Sequence, residues 1–418
     1  MTGRILARNL AAASTVLVVA LAGLLPLAVG SSAAPTGVGT AKTIPVIDQR
    51  ERQNAQGGSA DDLVAGVNGA QSASTLPCEA TDELSDIGTH DPFIMPDPVS
   101  GIYYLYQGRT ARMSIDLVNW CAPETVFTVP NGTWANPRQS PWAPEAWYFN
   151  GKYYWFGTLH NRDTVLAEAS TQGQACGDCG QIWQTQTARG TIVARSDSPM
   201  GPFEMVNTDS PVAPADFMTL DGTLFVDGDG TPWMVYAHEW IQKIDGTIEA
   251  IRLEQDENGD LTGRGTGDPI YLFKGSDAPW YGQEARADNV QLPPYVTDAP
   301  SFFRTPSGEL LMYWTSYRKH NNEYVVTRAR SESGELVGPW TQEDVVIPEN
   351  KGHSMLFWTF ADKGQKSQLM MAIHNNMNRQ NIRTELYEMK ATGNDLRLVR
   401  QRTDLDGDPV SSWVWPTD

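Results

Sequence analysis

Basic side chains are scarce: 31 Lys and Arg face 50 Asp and Glu, leaving a net charge of −19. Nucleic acids and anionic membranes bind basic surfaces, so that balance argues against both, while a neutral substrate is compatible with it. Helical periodicity is nearly absent after residue 78, which points to an all-β chain. Cysteine is limited to Cys78, Cys121, Cys176 and Cys179. The Cys176-Gly-Asp-Cys179 string has no second pair or neighbouring His, so it is weak as a zinc motif. The strings DGDG and DENGD lack the downstream Glu of an EF-hand loop and read as hairpin turns.

The one long apolar run is at the start. Arg4 and Arg8 precede LAAASTVLVVALAGLLPLAVG, and SSAA then offers small residues for cleavage, so residues 1–34 read as a secretory signal peptide. An uncleaved anchor is the alternative, because the run approaches spanning length. No Cys lies near it to carry a lipid. The expected location is extracellular. Residues 35–77 are poor in aromatics and rich in Ala, Gly, Ser and Asp, and are expected to form a linker with a short helix around DDLVAGV. In an oxidising compartment the four cysteines suggest disulfides, for which three pairings can be drawn. Cys78 with Cys121 would tie the start of the folded domain, residues 78–418, to its first repeat; Cys176 with Cys179 would close a small loop in the second.

Within that domain one pattern recurs five times: an acidic or histidine side chain, a few apolar residues, a glycine turn, then an aromatic or aliphatic run. The five groups are Asp91 before GIYYLY, Glu145 before GKYYWF, Asp221 before GTPWMVY, Asp298 before GELLMYW and His353 before SQLMMAI. Each lies six to eleven residues ahead of its turn glycine, Gly101, Gly151, Gly230, Gly308 or Gly364. A second run ending in a polar turn follows each, so the unit is a meander of three or four strands. One meander cannot bury both its faces, and repeats of about 40 to 50 residues are what radial propellers show. Five units predict a five-bladed β-propeller. Its innermost strands would line one axis and bring the five groups into a shared funnel. Trp142 and Trp240, with Trp134, sit near the repeated positions, where flat aromatic faces suit the C–H faces of sugars.

The motifs HDPFI, SPWAPEAW, LDGTLFVDGDG, VTDAPSFF and GHSMLF, in this order, with the phrases SDSPMGPF and GELVGPW, resemble glycoside hydrolase family 43, the five-bladed arabinosidases and xylosidases. The resemblance runs from about residue 88 to residue 400. It implies that Asp91 is the general base, Asp298 the general acid and Asp221 the group that raises and orients that acid. It also makes His353 resemble the family's axial histidine, which faces a buried water or a structural calcium ion; a hydrogen-bonded core His is the plainer reading. His90 and His374 are secondary candidates, and Glu145 is expected to hold the funnel or a sugar hydroxyl. One departure is that most of the family has Glu in a Glu-Gly-Pro phrase where this chain has Asp298-Ala299-Pro300.

The chemistry asks for the same set. Inverting cleavage of a glycosidic bond needs one carboxylate to activate water and an opposed carboxylic acid to protonate the leaving oxygen, with about 6.5 to 9.5 Å between them for the water. A third carboxylate raises the acid's pKa by like-charge repulsion. The expected function is a secreted hydrolase removing terminal L-arabinofuranosyl or D-xylosyl groups from neutral plant polysaccharides or oligosaccharides, with no cofactor required. A sugar-binding propeller with impaired catalysis is the alternative. A phosphorolytic enzyme is a third reading, which would need cations such as Arg304 beside the acid.

Overall fold

The computed structural model describes residues 66–407 apart from 67, 169–184, 281–295, 319–322, 349, 362–364, 376 and 378–380. The expected signal peptide and the Cys176–Cys179 pair lie outside the described residues, as does the short helix around 61–67 except for Gly66. Five four-stranded antiparallel sheets follow one another along the chain as the blades of a five-bladed propeller. Their innermost strands are Phe93–Asp97, Trp142–Phe149, Thr219–Val226, Asp298–Arg304 and Gly352–Trp358. Each turns back through a hairpin into a second strand, as Phe93–Asp97 does into Ile102–Gln107.

Burial explains why the strands read as continuous apolar runs rather than strict alternation. A blade is covered on both faces by its neighbours, so its second strand has no solvent face; all eight residues of Leu310–Tyr317 are buried. The outermost strands show the reverse, and Asp395–Gln401 is mostly exposed. Aromatic side chains fill the space between blades. Phe127 stacks on Trp155 with centroids 4.3 Å apart, and each such ring removed from water contributes roughly 4 to 6 kcal/mol on an area basis.

The ring closes where the first blade meets the fifth. The Thr89 amide donates to the Ile382 carbonyl at 3.1 Å, Arg383 Nε to the Ser85 carbonyl at 2.8 Å, and the Phe360 amide to Tyr103 Oη at 2.7 Å. The Cys78–Cys121 disulfide is formed, and Ala80–Glu83 pairs with Asn119–Cys121 beside it. The end of the expected linker belongs to this closure. The Ala73 amide donates to the Gly101 carbonyl at 2.8 Å, and the Ala361 amide to the Ala70 carbonyl at 2.7 Å. Ala70, Ala73 and Leu76 pack against a hydrophobic cluster that includes Tyr103, Phe357 and Phe360, so ordered structure starts ahead of Cys78. Gly101 has φ 71°, and a Cβ there would come within 2.6 Å of the Ala73 nitrogen. This glycine therefore serves both the hairpin turn and the passage of the strap over it.

Candidate active site

Within two residues of the start of each innermost strand lies one residue in the left-handed region: Asp91 (φ 48°), Ala143 (42°), Asp221 (53°), Ala299 (51°) and His353 (53°). In the last four blades the pairing register slips there, between Trp142 and Glu145, Leu220 and Thr223, Asp298 and Ser301, and Gly352 and Met355. In these four blades a repeated bulge thus redirects the backbone at the left-handed residue. The five groups expected from the sequence are not all at this position. Asp91, Asp221 and His353 occupy it, Asp298 precedes it by one residue, and Glu145 follows it by two.

The preceding blade anchors most of these strained residues. The Asp221 amide donates to Thr158 Oγ1 at 3.0 Å, the His353 amide to Thr315 Oγ1 at 3.1 Å, and the Asp91 amide to His374 Nδ1 at 3.2 Å. Thr158, Thr315 and His374 stand at the same place in their own blades, opposite Trp142, Asp298 and Gly352 on the second strand. In the third blade that place is Ala237, opposite Leu220, and offers no acceptor. There the Asp221 carboxylate itself accepts the Ala299 amide at 3.1 Å.

These contacts draw the sequence-distant acids together. His353 Nδ1 lies 3.2 Å from Asp91 Oδ1 and 3.8 Å from Asp221 Oδ2. His374 Nδ1 is 3.1 Å from Asp91 Oδ1, and Tyr324 Oη donates to Asp298 Oδ2 at 2.7 Å. Burial alone would raise Asp91, but the imidazoles of His353, His374 and His90 outweigh it and hold the carboxyl well below the ordinary range. Burial lowers His353 to about 4, so near neutral pH it meets Asp91 as a neutral ring.

The other carboxyls move the opposite way. Burial first, then the charges of Asp298 and Asp91, hold Asp221 well above the usual range. Asp298 is raised to about 7 by burial, with Glu239 and Asp91 adding to it and the Tyr324 hydroxyl opposing it. Two like charges in one buried site do not both ionise, so near neutral pH the Asp221–Asp298 pair retains a proton. Glu145 is pushed up to about 8 by burial despite bonds from Thr223 and Trp147, the latter through Trp147 Nε1 at 2.9 Å.

The aromatic candidates divide. Trp240 packs with Val296, Tyr317 and Tyr324 beside Asp298. Trp142 is half-buried, its ring engaged by the Arg189 guanidinium at 4.6 Å and the His160 ring at 4.5 Å. Arg189 in turn pairs with the buried Glu239. The sequence reading missed that pair, as it missed Tyr324, Thr158 and Thr315. Arg304 is not a phosphate ligand beside the acid: it lies at the far end of the strand from Asp298 and donates to the carbonyls of Gly308 and Gly334.

His90, Asp91 and His374 bring one ligand atom each within 4.8 Å of one another. With His353 they offer chiefly imidazole nitrogen, whereas calcium takes about six to eight oxygens. This donor set does not fit a calcium shell.

Comparison with known proteins bears on what such a site does. The model of the family described as "Glycosyl hydrolases family 43" matches residues 86–358. The solved structure of an endo-arabinase from Bacteroides thetaiotaomicron is 31% identical, covers 75% of this chain and 98% of its own, and superposes with a TM-score of 0.62. Arabinan endo-1,5-alpha-L-arabinosidase B of Emericella nidulans is 28% identical over 166 residues, 37% of this chain and 36% of that protein. Extracellular endo-alpha-(1->5)-L-arabinanase 1 of Bacillus subtilis is 26% identical over 164 residues, 36% of this chain and 43% of that protein. The match thus spans less than half of either curated relative.

Proposed function

The chain belongs to glycosyl hydrolases family 43, and on that premise we propose that it hydrolyses α-L-arabinofuranosyl linkages of arabinan by single displacement with inversion. One observation carries the mechanism: Asp91, Asp221 and Asp298, from three different blades, are joined through His353 and the Ala299 amide around one axis. The ionised Asp91 takes a proton from water as the water oxygen attacks the anomeric carbon. Asp298 gives its proton to the departing glycosidic oxygen as the C–O bond breaks, and Asp221 keeps that proton available near neutral pH. Glu145 is close enough for its charge to bear on Asp221, and Trp240 packs in the cluster of Tyr324 beside Asp298. No cofactor is asked for by this scheme.

The terminal action expected from the sequence gives way here to cleavage within the chain, because all three relatives above carry endo-acting names. Extracellular location follows the same relatives in part, one of which is named extracellular; among the described residues no helix is long and apolar enough to cross a membrane. The test is linear α-1,5-arabinan incubated with the unaltered chain and with Asp91→Asn. Asparagine preserves the shape and tolerates positive φ, so the variant is expected to fold and to lose about 10²- to 10⁴-fold in rate. Mixed oligosaccharides early in the reaction support internal cleavage, and arabinose alone supports terminal cleavage. Binding of arabinan without hydrolysis by either protein would favour the sugar-binding reading instead.

A further inference from the structure

We propose that Tyr324 is a positioning residue that determines which oxygen of Asp298 carries the acidic proton, an inference that rests on Asp298 being the general acid. The phenol donates to Asp298 Oδ2 at 2.7 Å. A carboxylic acid has one hydroxyl oxygen and one carbonyl oxygen, and the carbonyl oxygen is the better acceptor. With a donor fixed on Oδ2, the proton is held on Oδ1, the oxygen free to reach the leaving group. A carboxyl left to rotate would spend part of its time with the proton turned away from the bond to be cleaved.

The ring has nowhere else to go. Tyr324 is 2% exposed. One side lies on Gly352, where a Cβ would come within 2.2 Å of the ring. Gly352 is not among the residues with positive φ, so the glycine there serves the close approach of the tyrosine and not a turn. Tyr324 also stacks on the His374 imidazole, with centroids 5.8 Å apart and planes 20° apart, and Tyr317 tilts against it at 5.0 Å. His374 Nδ1 meets Asp91 at both its amide and Oδ1. A single stack therefore holds the acid at one end and the base at the other. A buried phenol could bond any nearby acceptor merely to avoid the cost of an unmade hydrogen bond. What separates the two roles is whether losing the bond matters only when protonation of the leaving group matters.

Two variants reach the same contact from different sides: Tyr324→Phe removes the hydroxyl, and Gly352→Ala displaces the ring that carries it, together with the Thr315 methyl that a Cβ would meet at 2.5 Å. Each is assayed on linear α-1,5-arabinan, whose sugar alkoxide needs a proton to leave, and on 4-nitrophenyl α-1,5-arabinotrioside, whose nitrophenolate needs almost none. The expected result is a fall in kcat on arabinan of about ten- to a hundredfold with little change in KM, against about threefold or less on the aryl substrate. The groups facing Asp298 are Asp221, Asp91 and Glu239, none of which these variants alter. Loss of a donor to the ionised form should therefore move the upper limb of the kcat/KM profile to higher pH. Equal losses on both substrates, or an unmoved upper limb, would overturn the inference and leave the glycosidase reading standing. If Tyr324→Phe does not fold, Gly352→Ala decides by the same criteria, with melting temperature recorded for both. An unaltered chain that cleaves neither substrate would remove the reading of Asp298 as an acid, and the inference with it.

Discussion

Replacing Asp221 by Asn removes one negative charge beside the acid while keeping the side chain's shape. The asparagine oxygen can still accept the Ala299 amide that Asp221 Oδ2 accepts at 3.1 Å, and asparagine tolerates the left-handed backbone at φ 53°. The charge of Asp298 raises Asp221 and the repulsion is mutual; for a separation on the order of 6 Å and an effective dielectric of about 20, two like charges repel by roughly 3 kcal/mol, or about two pKa units. Asp298 is raised to about 7 by burial, Glu239 and Asp91, so an ionised Asp221 would hold the acid's proton to still higher pH, and Asn at that position returns it to about 7. The catalytic acid must be protonated, so lowering it by about two units moves the upper limb down by the same amount. At pH 9 its protonated fraction then falls from about one half to about one hundredth, and the rate by roughly fiftyfold, while at pH 7 the loss is only about twofold. The assay is kcat/KM on linear arabinan between about pH 4 and pH 9. An upper limb that stays in place, or a uniform loss at every pH, would refute the role given to Asp221.

Three further outcomes follow from the same geometry. Thr158→Val leaves the Asp221 amide without its acceptor, which should cost about 1 to 3 kcal/mol in denaturant unfolding; an unchanged midpoint would show the amide finds another partner. The Cys78–Cys121 bond spans 43 residues, and reducing it with dithiothreitol should remove about 4 kcal/mol by chain entropy and lower the melting temperature. Glu145 is raised from its ordinary 4.5 to about 8. A group raised on folding contributes stability that is full below its unfolded value and lost as pH rises through the folded one. The melting temperature should therefore decline from about pH 5 to pH 9, and Glu145→Gln should flatten that decline; an equal slope in the variant would place the cause elsewhere.

The repeat and its acids were legible because they are local. A glycine turn ahead of an aromatic run marks a hairpin, and Gly101, Gly151, Gly230 and Gly308 all adopt the positive φ such a turn requires. The offset of Asp298 and Glu145 from the bulge is masked in the sequence, where the recurring charge is the more visible feature. Aligned instead on the left-handed residue, the repeats read His90-Asp91-Pro92, Trp142-Ala143-Pro144, Leu220-Asp221-Gly222, Asp298-Ala299-Pro300 and Gly352-His353-Ser354. In four of the five, a small or acidic residue before Pro or Gly was the available signal; His353-Ser354 lacks it. The cross-blade anchors were not legible. Thr158 and Thr315 are unremarkable strand threonines until the neighbouring blade brings an amide to them. Tyr324 carries no motif in the sequence, and only three-dimensional packing sets its hydroxyl on Asp298. The strap at residues 70–76 was hidden by a composition typical of linkers, because its hold on the fold is largely backbone hydrogen bonding.

The central claim is that the Asp91 carboxylate drives water directly onto the sugar while Asp298 releases the other side. Proton NMR of the first product formed from linear α-1,5-arabinan, recorded before mutarotation, tests this most directly. The account expects the newly released reducing end to appear first as the β-anomer. Initial appearance of the α-anomer would mean net retention and would contradict it.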